Sequence, residues 1–351
     1  MHNFLIINLV VILISSFSYA DDVAIDHGPI NVMGDHFHEK GEWMFSMRVM
    51  KMTMQDNILN GTKISDTEIL ERHNPFSSMP NMPMKLSIIP KEMKMDMIML
   101  GAMYAPLENL TLMGMAMFNE KEMTLNTHKG MMLREYLGSF KTSTSDLSDI
   151  ALMGLYKLYQ TPQIRWHLHF GFEKGIGDNS KIGNVLTPMN MRTSITLPYA
   201  MQSSDHSLRI VSGITKVLKF GDYVFGNQLL FNFKIKEEDW FFGNRWDFNT
   251  WIQGAHNDKF SYSVRLHYKN EGTIGGRNNS IMAPVQTADT DNYGGKTLNL
   301  GLGVNTVFHL FGGSYRDRFG FELVLPLIQD INGLQMENKF SFTIGYQRSF
   351  P

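Results

Sequence analysis

The chain has 351 residues, is 43% hydrophobic, carries a formal net charge of -2 and has no cysteine. Near-neutral charge gives no basic surface for nucleic acid, and the lack of thiols removes disulfides, thiol catalysis and Cys-ligated zinc.

Residues 1–20 contain no Lys, Arg, Asp or Glu, run apolar from Phe4 to Ile14, and finish Ser18-Tyr19-Ala20 before Asp21-Asp22. That order predicts a cleaved secretory signal peptide, although the basic n-region is missing. Later in the chain no run of about 18 uncharged apolar residues offers a helical membrane span. A periplasmic, secreted or barrel protein follows. Residues 21–41 form a polar leader without sustained period, containing His27, His36 and His38. It reads as a periplasmic N-terminal segment with solvated imidazoles.

From Glu42 onward the period is 2. Phe260, Tyr262, Val264, Leu266 and Tyr268 share one face of a strand, and Ser261, Ser263, Arg265, His267 and Lys269 share the other. About twelve such segments are expected, near 42–54, 92–105, 109–122, 148–160, 164–174, 206–219, 222–236, 243–254, 259–270, 296–310, 318–328 and 337–350. Many exceed the usual strand of about 5 to 6 residues and match a tilted membrane strand of about 9 to 11 with its extensions. Short connections after every second strand alternate with mostly longer ones, Gln55 to Lys91, Met123 to Leu147, Gly175 to Asp205 and Glu271 to Gly295 among them. Aromatics gather at strand ends, as at Trp43, Trp166, Tyr223, Trp246 and Phe319. The expected fold is therefore all-β: a transmembrane antiparallel barrel over 42–351 in a Gram-negative outer membrane. Short turns and both termini would be periplasmic, and the longer loops extracellular. Its partners would be outer-membrane lipid and, through the closing strand Phe340 to Phe350, the barrel-assembly machinery.

The expected lumen-lining residues are Arg48, Arg165, His167, His169, Glu173, Lys234, Arg245, Asp247, Arg265 and His267, a set leaning basic. They suit either polar passage or an interior plugged by paired charges.

Methionine is the compositional anomaly. Of 27, 21 lie at or before Met132, many at period 2. Met50, Met52 and Met54 share the face of Arg48; Met113, Met115 and Met117 share the face of Thr111 and Asn119, and both rows are expected in the lumen. The row Met93, Met95, Met97 and Met99 stays open, because Lys94 and Asp96 oppose it but so do Ile98 and Leu100. Two readings stand. Flexible thioethers could fill a narrow lumen or contact an apolar solute. Alternatively, Met50, Met52, Met54, Met113, Met115 and Met117, extended by His36 and His38, could bind Cu(I) or Ag(I), ions that favour soft sulfur ligands. No cofactor is otherwise implied.

No catalytic motif occurs, so catalysis is not expected. Ser203-Ser204-Asp205-His206 is the one cluster that a hydrolase at the barrel rim could use.

Met33 to Met44 (MGDHFHEKGEWM), Met95 to Pro106 (MDMIMLGAMYAP) and Leu147 to Tyr156 (LSDIALMGLY) together resemble the outer-membrane transporter-like barrels grouped with the putative MetA component of phenol degradation. The resemblance extends over most of the mature chain. It implies an outer-membrane barrel that passes small compounds, aromatic ones among them, and it carries no catalytic residues. The leading expectation is thus a transporter or channel for small solutes, with a soft-metal barrel as the alternative.

Overall fold

The computed structural model describes residues 23–130, 134–236, 238–310 and 315–350. The expected signal peptide, 1–20, lies outside them. Twelve antiparallel strands close into a barrel: β1 (Trp43–Leu59), β2 (Ile88–Leu107), β3 (Leu110–His128), β4 (Tyr136–Gln160), β5 (Ile164–Gly175), β6 (Leu208–Phe220), β7 (Tyr223–Lys234), β8 (Arg245–Asn257), β9 (Phe260–Glu271), β10 (Gly295–Phe308), β11 (Arg316–Ile331) and β12 (Leu334–Phe350). Each strand pairs with its sequence neighbour, and β12 pairs with β1, from Trp43 opposite Phe350 to Leu59 opposite Leu334. Closure leaves neither wall edge unpaired.

The period-2 alternation decides which face turns outward. Phe45, Leu152, Phe172, Tyr262, Leu302 and Ile344 are exposed on the outer wall, whereas Arg48, Gln228, Asn249, Arg265, Asn305 and Glu322 are buried inside. An apolar exterior around a polar interior is the pattern of a lipid-embedded barrel. At one end the turns are tight, as at 108–109, 161–163, 221–222 and 258–259. At the other end the connections 60–87, 176–207 and 272–294 are long, whereas Asn332-Gly333 is a two-residue turn.

Two expectations change. β4 begins twelve residues before its expected start at 148, and β3 runs to His128, so much of the expected loop Met123 to Leu147 is a hairpin wall. The outward side chains there are charged, with Lys141 Nζ 2.8 Å from Glu122 Oε1. Inward, Met123, Leu125 and Phe140 join a hydrophobic cluster. A bulge near Met117 and Ser148 resets which β4 residues face in. It breaks the alternation from which the strand could be read.

The leader differs more. Instead of solvated residues it is an inward loop that occupies the half of the barrel nearest the short turns, where His36 and His38 are each 2% exposed. It enters beside the β8–β9 turn, where Ala24 N–H donates to Asp258 O at 2.7 Å. It returns at Gly41, whose N–H donates to Ala105 O at 2.8 Å.

Candidate functional site

Polar wall side chains hold the leader by its backbone. Its carbonyl oxygens accept from Ser261 Oγ (to Ala24, 3.0 Å), Arg165 (to Asp26, 3.0 Å), Gln253 (to His27, 2.6 Å), Arg318 (to Gly28) and Gln228 (to Met33, 2.8 Å). Its N–H groups at Asn31 and His38 donate to Glu322 and Thr111, each at 3.1 Å. A chain without regular structure can be buried only if these groups find partners. The polar inner wall supplies them. At the apex Gly34 has φ +62°, and a Cβ there would fall 2.9 Å from the His169 ring and 3.1 Å from Leu155. Only glycine reverses the chain in that space. On the far wall Ile30 lies against Gly320 and Gly345.

Towards the long-loop end a second layer forms. Tyr199, Trp240, Ile281 and Val285 pack with Met123 and Phe140 of the wall. Lys121 Nζ secures this layer through Gln202 O at 2.6 Å. Asp205 belongs to it as well. Burial alone would raise its carboxyl, but Arg209 and Ser207 hold it below the usual carboxylate range. His206 Nε2 meets Gly177 O at 2.7 Å. In the cluster of the hydrolase expectation, Ser203 N–H donates to Asp178 O and Ser204 Oγ accepts from His206 N–H, each at 3.1 Å, and the Asp205 and His206 side chains face different partners.

Between the layers the inward side chains are half-buried, bordering space that water can reach. Opposed residues in adjacent strands share a face, which places each methionine row. Met44, Met50, Met52 and Met54 of β1 stand opposite Met103, Met97, Met95 and Met93 of β2. Met103, Met99 and Met93 stand opposite Met113, Met117 and Met123 of β3. The row left open by sequence therefore faces inward with the other two. Lys94 and Asp96 point outward, and Lys51 meets Asp96 on that surface at 2.5 Å.

The opposite wall is charged. Asp247 contacts Arg245 at 2.9 Å and His267 at 2.8 Å, while Lys269 contacts Glu271 at 2.8 Å. Glu173 accepts from Asn232 at 3.2 Å. Deeper, Arg265 and Glu322 form a buried ion pair at 2.7 Å. His169 Nε2 bonds Thr215 at 2.7 Å and His167 Nε2 bonds Gly34 O at 2.8 Å. Lys234 lies at the end of β7, over the Phe241 ring. The ten expected lining residues lie on inward-facing positions, most of them paired rather than presented to a bore.

One cavity, of about 20 Å³, lies at the leader apex. Met33, Asp35 and His36 of the leader line it together with Met44, Arg48, Met99, Met103, Met113 and Met115 of the wall. Of the expected metal set, Met113, Met115 and His36 border this cavity. Met50, Met52, Met54, Met117 and His38 do not. Met44, Met103 and Met33 were outside the expected set; Met44 shares the period-2 face of Arg48 and Met50, whereas Met103 could be found only from the strand register and Met33 only from the leader's burial. Among the described residues, no three His, Asp or Glu side chains are grouped to hold a metal ion.

No known family profile matches the sequence, and no curated protein does. The fold does have likenesses among solved structures. An outer membrane channel from Pseudomonas putida F1 is 13% identical with a TM-score of 0.56, covering 92% of this chain and 100% of that one. A Pseudomonas aeruginosa FadL homologue (8% identical, TM-score 0.41, 88% and 90% covered) and the CymD monoaromatic hydrocarbon channel (9%, 0.39, 95% and 98%) are more remote. At these identities the likeness is one of fold. The chain has the closed barrel architecture of outer-membrane channels.

Proposed function

We propose that this chain is an outer-membrane channel for small hydrophobic or aromatic solutes, performing no catalysis, and closed in the present state by its leader and inward loops. The observation that carries the reading is the lumen itself. It holds two layers, the leader and the long-loop cluster, that hydrogen-bond and pack onto the wall without belonging to it, and the inward side chains between them are only half-buried. Its adaptable thioether face suits flat apolar molecules, and its charged face keeps it wetted. The barrel's likeness to the Pseudomonas putida channel supports the class. The sequence resemblance to the MetA-grouped barrels agrees with the solute type. In this reading the short turns and leader face the periplasm.

Solute uptake tests it. In proteoliposomes, the intact chain should admit little, and a form lacking residues 24–40 should admit phenol-sized aromatics faster than sugars of equal mass. Equal uptake of both, or none by a barrel shown to be folded, would refute the reading.

A further inference from the structure

The same three strands use different apolar residues on their two faces. Outward they carry Phe45, Val49, Ile98, Leu100, Leu112 and Phe118; inward, thirteen of their fourteen methionines, with Met47 the exception. Leucine fills a core as well as methionine does, so hydrophobicity alone gives no reason for this division. The sulfur distinguishes the inner face.

Those thioethers converge where the leader meets the wall. Met44, Met103 and Met113 are consecutive cross-strand partners, set side by side at the strand spacing of about 4.8 Å. Each is under 5% exposed. Met33 approaches from the leader to complete a cavity of about 20 Å³. That is room for one water-sized body, so it suits a bare ion better than an organic solute. Oxygen donors are poorly represented: the two carboxylate oxygens of Asp35 are already engaged by Gly28 N–H at 2.5 Å and His36 Nδ1 at 3.0 Å. Arg48, which also borders the cavity, donates through Nη1 to the Met33 sulfur, so an ion bound there takes the place of that hydrogen bond, and its positive charge is set against Asp35 and Glu322. A hard divalent cation would find no free carboxylate there: the remaining side-chain oxygens on the lining, of Ser46 and Gln347, are neutral, and Gln347 Oε1 already accepts from Arg318 at 2.7 Å. A soft monovalent ion needs only neutral sulfur.

We propose that the chain binds one Cu(I) or Ag(I) ion in this cavity, with the thioethers of Met33, Met44, Met103 and Met113 as donors. Because the donors come from both the wall and the leader, the bound ion fastens the leader in place.

The test uses the full chain in detergent, without any flux measurement, so its outcome is separate from that of the channel reading. Cu(I) is titrated anaerobically against a chromophoric chelator, Ag(I) by calorimetry, and Zn(II) serves as the hard control. One equivalent of Cu(I) and of Ag(I) should bind, and Zn(II) should not bind in this cavity. Met33→Leu lies in the leader and leaves every wall strand intact. It should weaken binding by at least roughly tenfold, since losing a direct donor costs no less than losing a group that only orients one. A Met44→Leu/Met103→Leu/Met113→Leu form should lose the site, whereas Met50→Leu/Met52→Leu/Met95→Leu should keep it. If no equivalent binds, or if Met33→Leu binds as tightly as the parent, the methionines are packing alone and the proposal fails.

Discussion

Arg265 and Glu322 illustrate how single residues are held in this interior. Their side chains are 4% and 0% exposed, and Arg265 also donates to Asn249 at 2.6 Å while Glu322 accepts from Asn31 of the leader. Removing one member of such a pair strands a charge in a low-dielectric site, at a cost of about 3–5 kcal/mol. Glu322→Gln should therefore lower the temperature at which the barrel loses its fast-migrating form in SDS gels. It should also loosen the leader, seen as faster proteolysis between residues 24 and 40. Unchanged heat modifiability would mean that water, not the ion pair, compensates Arg265. Arg348 shows the same logic at the barrel end. It occupies a position where an apolar residue would be usual, and Asp317 satisfies it at 2.7 Å.

At the scale of elements, the leader is expected to dock less firmly as pH falls. Burial, and then the nearby Arg318, hold His27 well below its usual 6.5, with His36 and Arg165 acting in the same direction and Asp35 opposing them. The imidazole is neutral while the leader is docked and returns to its ordinary value when the leader is out. Docking is therefore fully favoured above about 6.5 and weakens as pH falls below it, because the undocked state binds the proton more readily. Proteolysis of the leader should accelerate between pH 7 and pH 5, and His27→Gln should make that profile shallower, the buried His36, His167 and His169 at the same interface keeping the remainder. A flat profile in the parent would remove His27 from the docking balance.

The leader was also what the sequence concealed. Period 2 with a hydrophobic face is a local signal, so all twelve strands could be read from it. β4 was the poorest case, because its bulge and its polar first half interrupt the alternation. Burial of residues 23–41 has no local signature: polar side chains and glycines look solvated until the wall that hydrogen-bonds them is known. For the same reason Met113 and Met115 could be identified as inward from their own strand. So could Met44, two periods before Arg48; Met103 needed the register between strands, and Met33 needed the leader's path.

On the scale of the whole molecule, the apolar outer belt and the closed ladder define a barrel, and the two inner layers define its state. Neither layer belongs to the hydrogen-bonded wall, so removing them should leave the barrel closed on itself, its inner polar groups hydrated.

The decisive measurement is single-channel conductance in planar bilayers for the intact chain, the form lacking 24–40, and that form carrying in addition Tyr199→Ala, Trp240→Ala and Ile281→Ala, which remove the packing of the second layer. A lumen closed by its own segments predicts an intact chain that is nearly silent and a stepwise rise in conductance through the two changes. Silence in the form carrying both, with the barrel still heat-modifiable in gels, would contradict a self-closed channel.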